Sequence, residues 1–407
     1  MVSALWQRLE QTLAQHDRAG TRKVFTPLVA PQGPHSAVQV AGGPKLPVTV
    51  LSSNDYLALA NQPRVVAAAQ EALAQYGAGT ASVRFICGTM KIHEELEAAL
   101  AALHHQPAAL TFASAWMANT ALFATLLQPG DVVFSDALNH ASIIDGLRLL
   151  PRGVTKVVYP HNDMAALEKL LHEHRQAAVK MIVTDGVFSM EGSIVDLPTL
   201  VELARRYQAT LVVDDCHGVG VLGAHGQGVV EHFGALTTGG VDIITGTLGK
   251  ALGGGAGGYV AGPVAVIEML KQAARPHLFS NAISPATAAT SLAALQVLAD
   301  EPGRLTQLRQ NVKHFRACLT QQGLTPGGGE TGIVPILLGD TATAIAVAAQ
   351  ALARGVMVTG FGHPVVPEGQ ARLRAQISAG HTTAQLTAAA QVLAELVQKV
   401  RREYHAL

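Results

Sequence analysis

Charge is scarce in this chain, and it is balanced. Only 14% of the 407 residues are charged, and 29 lysines plus arginines face 29 aspartates plus glutamates. A zero balance gives no electrostatic reason to expect nucleic acid or an anionic membrane as partner, beyond a local pocket for a phosphate-bearing ligand. With 49% hydrophobic residues, the composition excludes disorder over most of the length. It can fill one large core and a smaller one. Cysteine is scarcer still. Cys87, Cys216 and Cys318 are odd in number, far apart and in no CxxC pair. That pattern argues against a disulfide framework and a zinc ribbon, and for a reducing compartment. The first 23 residues lack the continuous apolar core of a signal peptide. The uncharged run 278–299 is interrupted by Pro285 and several hydroxyl side chains, so it reads as a loop entering a buried helix rather than a membrane span. A soluble, cytoplasmic protein is expected, without internal repeats or low-complexity linkers.

Residues 4–17 carry helical spacing and form an N-terminal arm, after which Pro27, Pro31 and Pro34 interrupt regular structure. A strand is expected at 48–51, with helices at 64–76 and 93–105. Apolar strands at 108–112, 132–135, 154–159, 181–184, 210–213 and 243–245 then alternate with helices, notably 141–150, 164–174 and 197–207. That alternation predicts a mainly parallel sheet covered on both faces. After Pro285 a long helix, a strand near 333–338, another helix and a strand near 373–377 suggest a smaller α+β domain. The expected division is an N-terminal segment 1–60, a large domain 61–288 and a small domain 289–407.

Polar residues cluster just past the predicted strands. Thr245-Gly246-Thr247-Leu248-Gly249-Lys250 leads into a glycine-rich stretch ending at Gly258, where a planar ligand can approach the backbone and the lysine. Read alone, Lys250 is equally a lysine in a surface loop. No G-x-G-x-x-G opens a helix directly after a strand, and Lys250 lacks the Walker A context. Val213 precedes Asp214-Asp215-Cys216-His217, a carboxylate pair that needs partners if buried. A cationic ring nitrogen would suit Asp214, and His217 could reach an oxygen on the same ring; a structural acid pair or a metal site is the alternative. Asp185 to Ser189 and Asn139 to Ser142 also follow strands. Ligands of open α/β sheets bind outside the carboxyl ends of the strands. His140, Ser189, Asp214 and Lys250 would therefore converge on one crevice, although His140 could instead cap a helix under a loop. His104, His105, His172 and His174, at the ends of polar helices, read as solvated surface.

These residues lie in stretches that resemble the α-oxoamine synthases, pyridoxal 5'-phosphate (PLP) enzymes of fold type I, the aspartate aminotransferase-like fold. The likeness covers nearly the whole chain through SVRFICGT (82–89), SDALNHASIIDG (135–146), TDGVFSMEG (184–192), VDDCHGVGVLG (213–223), DIITGTLGKALGG (242–254), RPHLFSN (275–281) and PVVPEGQARLRAQISAGH (364–381). It implies that Lys250 carries the cofactor and that Asp214 pairs with its ring nitrogen. It also implies that His140 stacks on the ring and that Ser189 and His217 address the ring oxygen. Thr247 and the backbone amides of Ala115 and Trp116 are implied to bind the phosphate, joined by Ser280 and Asn281 from a second subunit of a homodimer. Arg374 is the implied ligand of a substrate carboxylate, with Asn54 and Tyr56 lining the site. The implied activity is condensation of glycine, or another small amino acid, with an acyl-CoA, foremost acetyl-CoA, releasing coenzyme A. A longer acyl-CoA with alanine or serine and decarboxylation is the alternative, and an aminotransferase a more distant one. The chain departs from the family pattern at Ala58, usually glycine, and at Gly380, usually alanine. It departs also at Trp116, at Cys216 and at Met90-Lys91-Ile92, whose apolar side chains would line an acyl pocket or pack elsewhere.

Overall fold

Short apolar runs flanked by polar turns put their strands at the centre of the molecule and their helices around them. The computed structural model describes residues 3–40, 43–234 and 240–405. Thirteen strands are found among them: β1 His35–Gln39, β2 Lys45–Val50, β3 Ala108–Phe112, β4 Val132–Asp136, β5 Thr155–Tyr159, β6 Lys180–Asp185, β7 Thr210–Asp214, β8 Ile243–Thr247, β9 Gly258–Gly262, β10 Ile333–Gly339, β11 Val356–Met357, β12 Thr359–Phe361 and β13 Ala371–Gln376. Seven form one sheet in the order β3-β9-β8-β7-β6-β4-β5. Six run in one direction, and β9 runs against both its neighbours. Every residue of β4 and β6 is buried, as expected of strands with helices on both faces.

The helices begin where the sequence offers caps. Asp163, Asp196 and Ser284 each accept a backbone N–H from the first turn of helices Met164–Glu173, Leu197–Tyr207 and Pro285–Asp300. The single long helix expected after Pro285 is two, Pro285–Asp300 and Gly303–Gln321. The break falls at Glu301, which precedes Pro302 and is driven out of helical geometry by its ring (φ −120, ψ 60).

Four strands escaped the sequence, the two- and three-residue β11 and β12 because they are too short to show a period, and two longer ones. Both β1, lying between prolines, and β9 read as loop. In β9 the glycines are required by packing: a Cβ on Gly258 would lie 2.3 Å from the backbone nitrogen of Ala115. Its strand-forming residues, Tyr259 and Val260, are fully buried. His104 is also a correction. It ends helix Lys91–Leu103 but is buried, its Nε2 2.8 Å from the Tyr259 hydroxyl. Burial lowers its pKa to about 3. Ile92 lies in an apolar cluster with Leu96, Leu252 and Ala289, so core packing accounts for it.

The remaining strands make two small sheets, β1-β2-β11 and β10-β13-β12. The first joins the N-terminal segment to the C-terminal part of the chain, because β11 pairs in parallel with β2. Two positions where the resemblance leads to a different expectation, Ala58 and Gly380, meet at this junction. Ala58 adopts a left-handed backbone (φ 55), where a side chain costs about 1–2 kcal/mol. A Cβ on Gly380 would lie 2.8 Å from the Cβ of Ala58 and 2.7 Å from Pro34. None of the helices of the described residues is long and apolar enough to cross a membrane.

Candidate active site

Four adjacent strands, β8, β7, β6 and β4, end on the same edge of the sheet and carry the polar residues there. Asp214 closes β7 and lies in register with Asp185 of β6 and Thr245 of β8. Its buried carboxylate accepts from Asn119 Nδ2 at 2.6 Å and from the Cys216 backbone at 3.0 Å. Asn119 also donates to Ser142 Oγ at 2.9 Å. Both its partners are therefore fixed before any ligand arrives. Asp215 turns away, accepts the Val229 backbone N–H at 2.8 Å, and is crowded by Gly218 and Gly228, where any Cβ would strike it. Of the acid pair, Asp215 is thus the structural member. Among the described residues, no group of three or more His, Cys, Asp or Glu side chains is placed to hold a metal.

Asn119 belongs to helix Ala115–Leu126, whose start lies against β9 because Gly258 has no side chain. Ser114 caps it, accepting from Met117 N at 3.1 Å. Ala115 and Trp116 are the first two helical residues, and their N–H groups have no intrahelical acceptor. Such a start favours an anion. Thr247 ends β8, where its hydroxyl accepts from Gly249 N at 3.1 Å and donates to Gly257 O at 3.3 Å.

Lys250 follows in the next turn, half-buried. Its charge acts on His140, Asp185, Cys216 and His217, which places all four around it. His140 caps helix Ala141–Gly146 through Nδ1, and its backbone N–H donates to Asp185 at 3.1 Å. Its ring meets Trp116 edge-on at 6.0 Å. Capping and a place in the crevice, alternatives in the sequence, are both true of it. Burial keeps its imidazole below the usual pKa, against the pull of Asp214 and with help from Lys250. Burial also pushes Asp185 well above the ordinary carboxylate range, reinforced by Asp214 and opposed by Lys250. His217 is held well below its ordinary value by burial, then by Lys250, Arg374 and His140. Its Nδ1 is 2.8 Å from the Tyr56 hydroxyl, so the other ring nitrogen is the one a ligand can meet.

Arg374 reaches the same crevice from β13. Its guanidinium donates to the Ser189 carbonyl at 3.0 Å and to Gln376 Oε1 at 3.3 Å, over the ring of Phe361 at 5.1 Å. Its buried Nε has no partner, and among the described residues no carboxylate pairs with it. Arg372, two residues back on the same face, is paired with Glu191 at 3.1 Å. Ser189 itself is half-buried at the turn after β6. Gln376 Nε2 donates to Asn54 Oδ1 and to the Tyr56 hydroxyl, the latter at 3.2 Å. Asn54, Tyr56, His217 and Arg374 are thereby one network. Burial pushes the Tyr56 phenol up to about 12.

Ser280 and Asn281 meet a different neighbourhood, lining a small recess with Arg84, Thr111 and Ala113, with Asn281 bridged to Val83. Sequence reasoning missed Asn119 and Gln376. The signal for Asn119 was its position one helical turn after Ala115. Gln376 lies two residues after Arg374, on the same face of a strand.

The arrangement suits PLP on its own geometry. A glycine-permitted helix start with unpaired amides fits a phosphate, and a buried, doubly supported carboxylate fits a cationic ring nitrogen. A lysine with no carboxylate salt bridge among the described residues stands among neutral histidines. Comparison with known proteins agrees. The family Aminotransferase class I and II matches residues 47–393. The mitochondrial 2-amino-3-ketobutyrate coenzyme A ligase of Bos taurus is 43% identical over 92% of this chain and 88% of its own. The 8-amino-7-oxononanoate synthase 1 of Bacillus subtilis is 45% identical over 87% of this chain and 89% of its own. A serine palmitoyltransferase from S. paucimobilis, solved with bound PLP and myriocin, superposes with a TM-score of 0.91 at 28% identity, covering 98% of this chain and 99% of that one.

Proposed function

This chain belongs to the α-oxoamine synthases, PLP-dependent acyltransferases of fold type I, and from that premise we propose that it condenses glycine with a short acyl-CoA, foremost acetyl-CoA. The product is an α-amino-β-keto acid, and coenzyme A leaves. The observation that carries the reading is Arg374, a half-buried guanidinium with a buried, unpartnered Nε, which suits a carboxylate and which among the described residues no protein carboxylate uses. The acyl-CoA half rests on the relatives at 43% and 45% identity, one named for coenzyme A and ketobutyrate.

PLP, when bound, supplies a carbonyl for the amino group and a ring that delocalises charge from the substrate carbon. In our reading Lys250 Nζ would hold the cofactor, and the same amine is the group placed to take the glycine α-proton. Asp214, fixed by Asn119, keeps a proton on the ring nitrogen. Neutral His140 would pack against the ring, and His217 and Ser189 would address its oxygen. The Ala115 and Trp116 amides and Thr247 bind the phosphate, with Ser280 and Asn281 delivered by the second subunit of a homodimer. Arg374 orients the glycine carboxylate, and Asn54 and Tyr56 shape the wall beside it. The division at residues 60 and 288, and a cytoplasmic location, belong to the same proposal.

Glycine added to the holoenzyme should shift the cofactor's visible absorbance, and a thiol reagent should then detect CoA release only with the right thioester. The panel pairs acetyl-CoA and longer acyl-CoAs with glycine, alanine and serine. A spectrum unmoved by glycine but moved by alanine would favour the 8-amino-7-oxononanoate synthase-like reading. Conversion of the cofactor to its amine form with no thioester present would mark an aminotransferase.

A further inference from the structure

The acyl-CoA reading requires a long thioester arm to reach the amino acid. Two cavities, of about 580 and 530 Å³, share Gln32 and Asp55 as walls. The first touches the site at Asn54 and at Gly249, the residue before Lys250, and is otherwise lined by short hydroxyls and glycines such as Ser53, Thr287 and Gly254. The second runs along the N-terminal segment. Neither wall contains lysine or arginine, so neither is built for phosphates.

Of the two shared residues Asp55 is spent, its carboxylate accepting from Leu59 N at 2.8 Å and Ala60 N at 3.3 Å. Gln32 is not. Its Nε2 donates to Ser53 Oγ at 2.7 Å, whereas Oε1 is shut off from solvent and has no partner among the described residues. A buried amide oxygen without a donor is unfavourable until a ligand N–H reaches it.

We propose that Gln32 grips the pantetheine arm of the acyl-CoA, its Oε1 accepting an amide N–H of that arm where the two cavities meet. The arm is slender, uncharged and carries secondary amides, which suits a path walled by hydroxyls and glycines. Its thioester end would enter the cavity beside Lys250, and its phosphates would stay outside. Gln32 is thus a specificity residue for the donor and makes no contribution to glycine binding. The proposal rests on the acyl-CoA reading above.

The test titrates CoA calorimetrically into the holoenzyme. It also compares kcat/KM for acetyl-CoA with that for the acetyl thioester of 2-mercaptoethanol, which has no amide. Gln32→Met should weaken CoA binding about ten-fold, equivalent to about 1.4 kcal/mol. The ratio of acetyl-CoA to amide-free kcat/KM should fall by a similar factor. Ser53→Ala, which frees the Gln32 amide from its tether, should lower the same ratio and serves if the first variant does not fold. Unchanged ratios in the folded variants overturn the role of Gln32 and leave acyl transfer standing. A wild type that releases CoA from no thioester overturns both.

Discussion

The cofactor side and the substrate side of this crevice are prepared to different degrees. On the first, Asp214 has both oxygens occupied by Asn119 and Cys216, and His140 is fixed by Ser142 and Asp185. On the second, Arg374 Nε and Gln32 Oε1 are buried and unpaired. The cofactor side also holds buried atoms without a partner, Asn119 Oδ1 and Asp185 Oδ1. What differs is that the groups aimed at the cofactor ring, the Asp214 carboxylate and the His140 ring, are already held, whereas the groups aimed at substrate are stabilised only when one arrives. The two sides should therefore fail differently when cut.

The largest expected effect is on the unpaired side. Arg374→Ala removes a half-buried charge that would meet a carboxylate, worth about 2–5 kcal/mol. Glycine kcat/KM should then fall at least about 30-fold while the cofactor stays bound. Asn119→Ala should do the reverse, leaving Asp214 short of a partner at about 1–3 kcal/mol. Cofactor dissociation, followed by dialysis and absorbance, should rise about ten-fold or more with little change in the glycine KM. Equal effects of both variants on glycine and cofactor would erase the distinction.

That distinction was half visible in the sequence. Lys250, Asp214, Ser189 and His140 were legible because each follows an apolar strand, and strand ends of an open sheet share an edge. Asn119 was harder to find, since it faces Asp214 from an apolar helix without a polar face and only its spacing from Ala115 marks it. Strand β9 was hidden by glycines that packing against Ala115 demands. His104 was misread because a helix end looks solvated until Tyr259, on that hidden strand, covers it.

Acid offers a milder comparison, since one buried histidine backs each side. His104 lies behind the cofactor strands with a pKa of about 3, and His381, between Ser378 and Val50, has one of about 4. Burial lowers both. Above pH ~6.5 neither the folded nor the unfolded chain binds these protons. Below it the unfolded chain takes up protons that the folded one refuses, so stability falls with pH until the folded values are reached. Two pH units lower, each histidine costs roughly 2–3 kcal/mol. Melting curves at pH 7 and pH 4.5 should show the loss, and His104→Gln should recover part of it. A pH-independent Tm across this range would rule it out.

The smallest effect sits at the junction both sides share. Gly380→Ala should cost about 1–3 kcal/mol by overpacking Ala58 and Pro34. Ala58→Gly should sit within about 1 kcal/mol of wild type, because relief of the left-handed side chain is offset by a freer unfolded chain. Made together, they should lose less than their sum by about 0.5 kcal/mol or more, read from denaturant midpoints. Strict additivity would mean the two positions do not touch.

The same contact restricts how this chain can be recombined with its relatives. Residues 58 and 380 lie near opposite ends of the sequence, so a chimera with a crossover anywhere between them takes one from each parent. Where the other parent carries glycine at the first position and alanine at the second, one such hybrid sets alanine against alanine at 2.8 Å and the other leaves two glycines and a gap. Shuffled libraries and consensus redesign should therefore treat the pair as a single heritable unit.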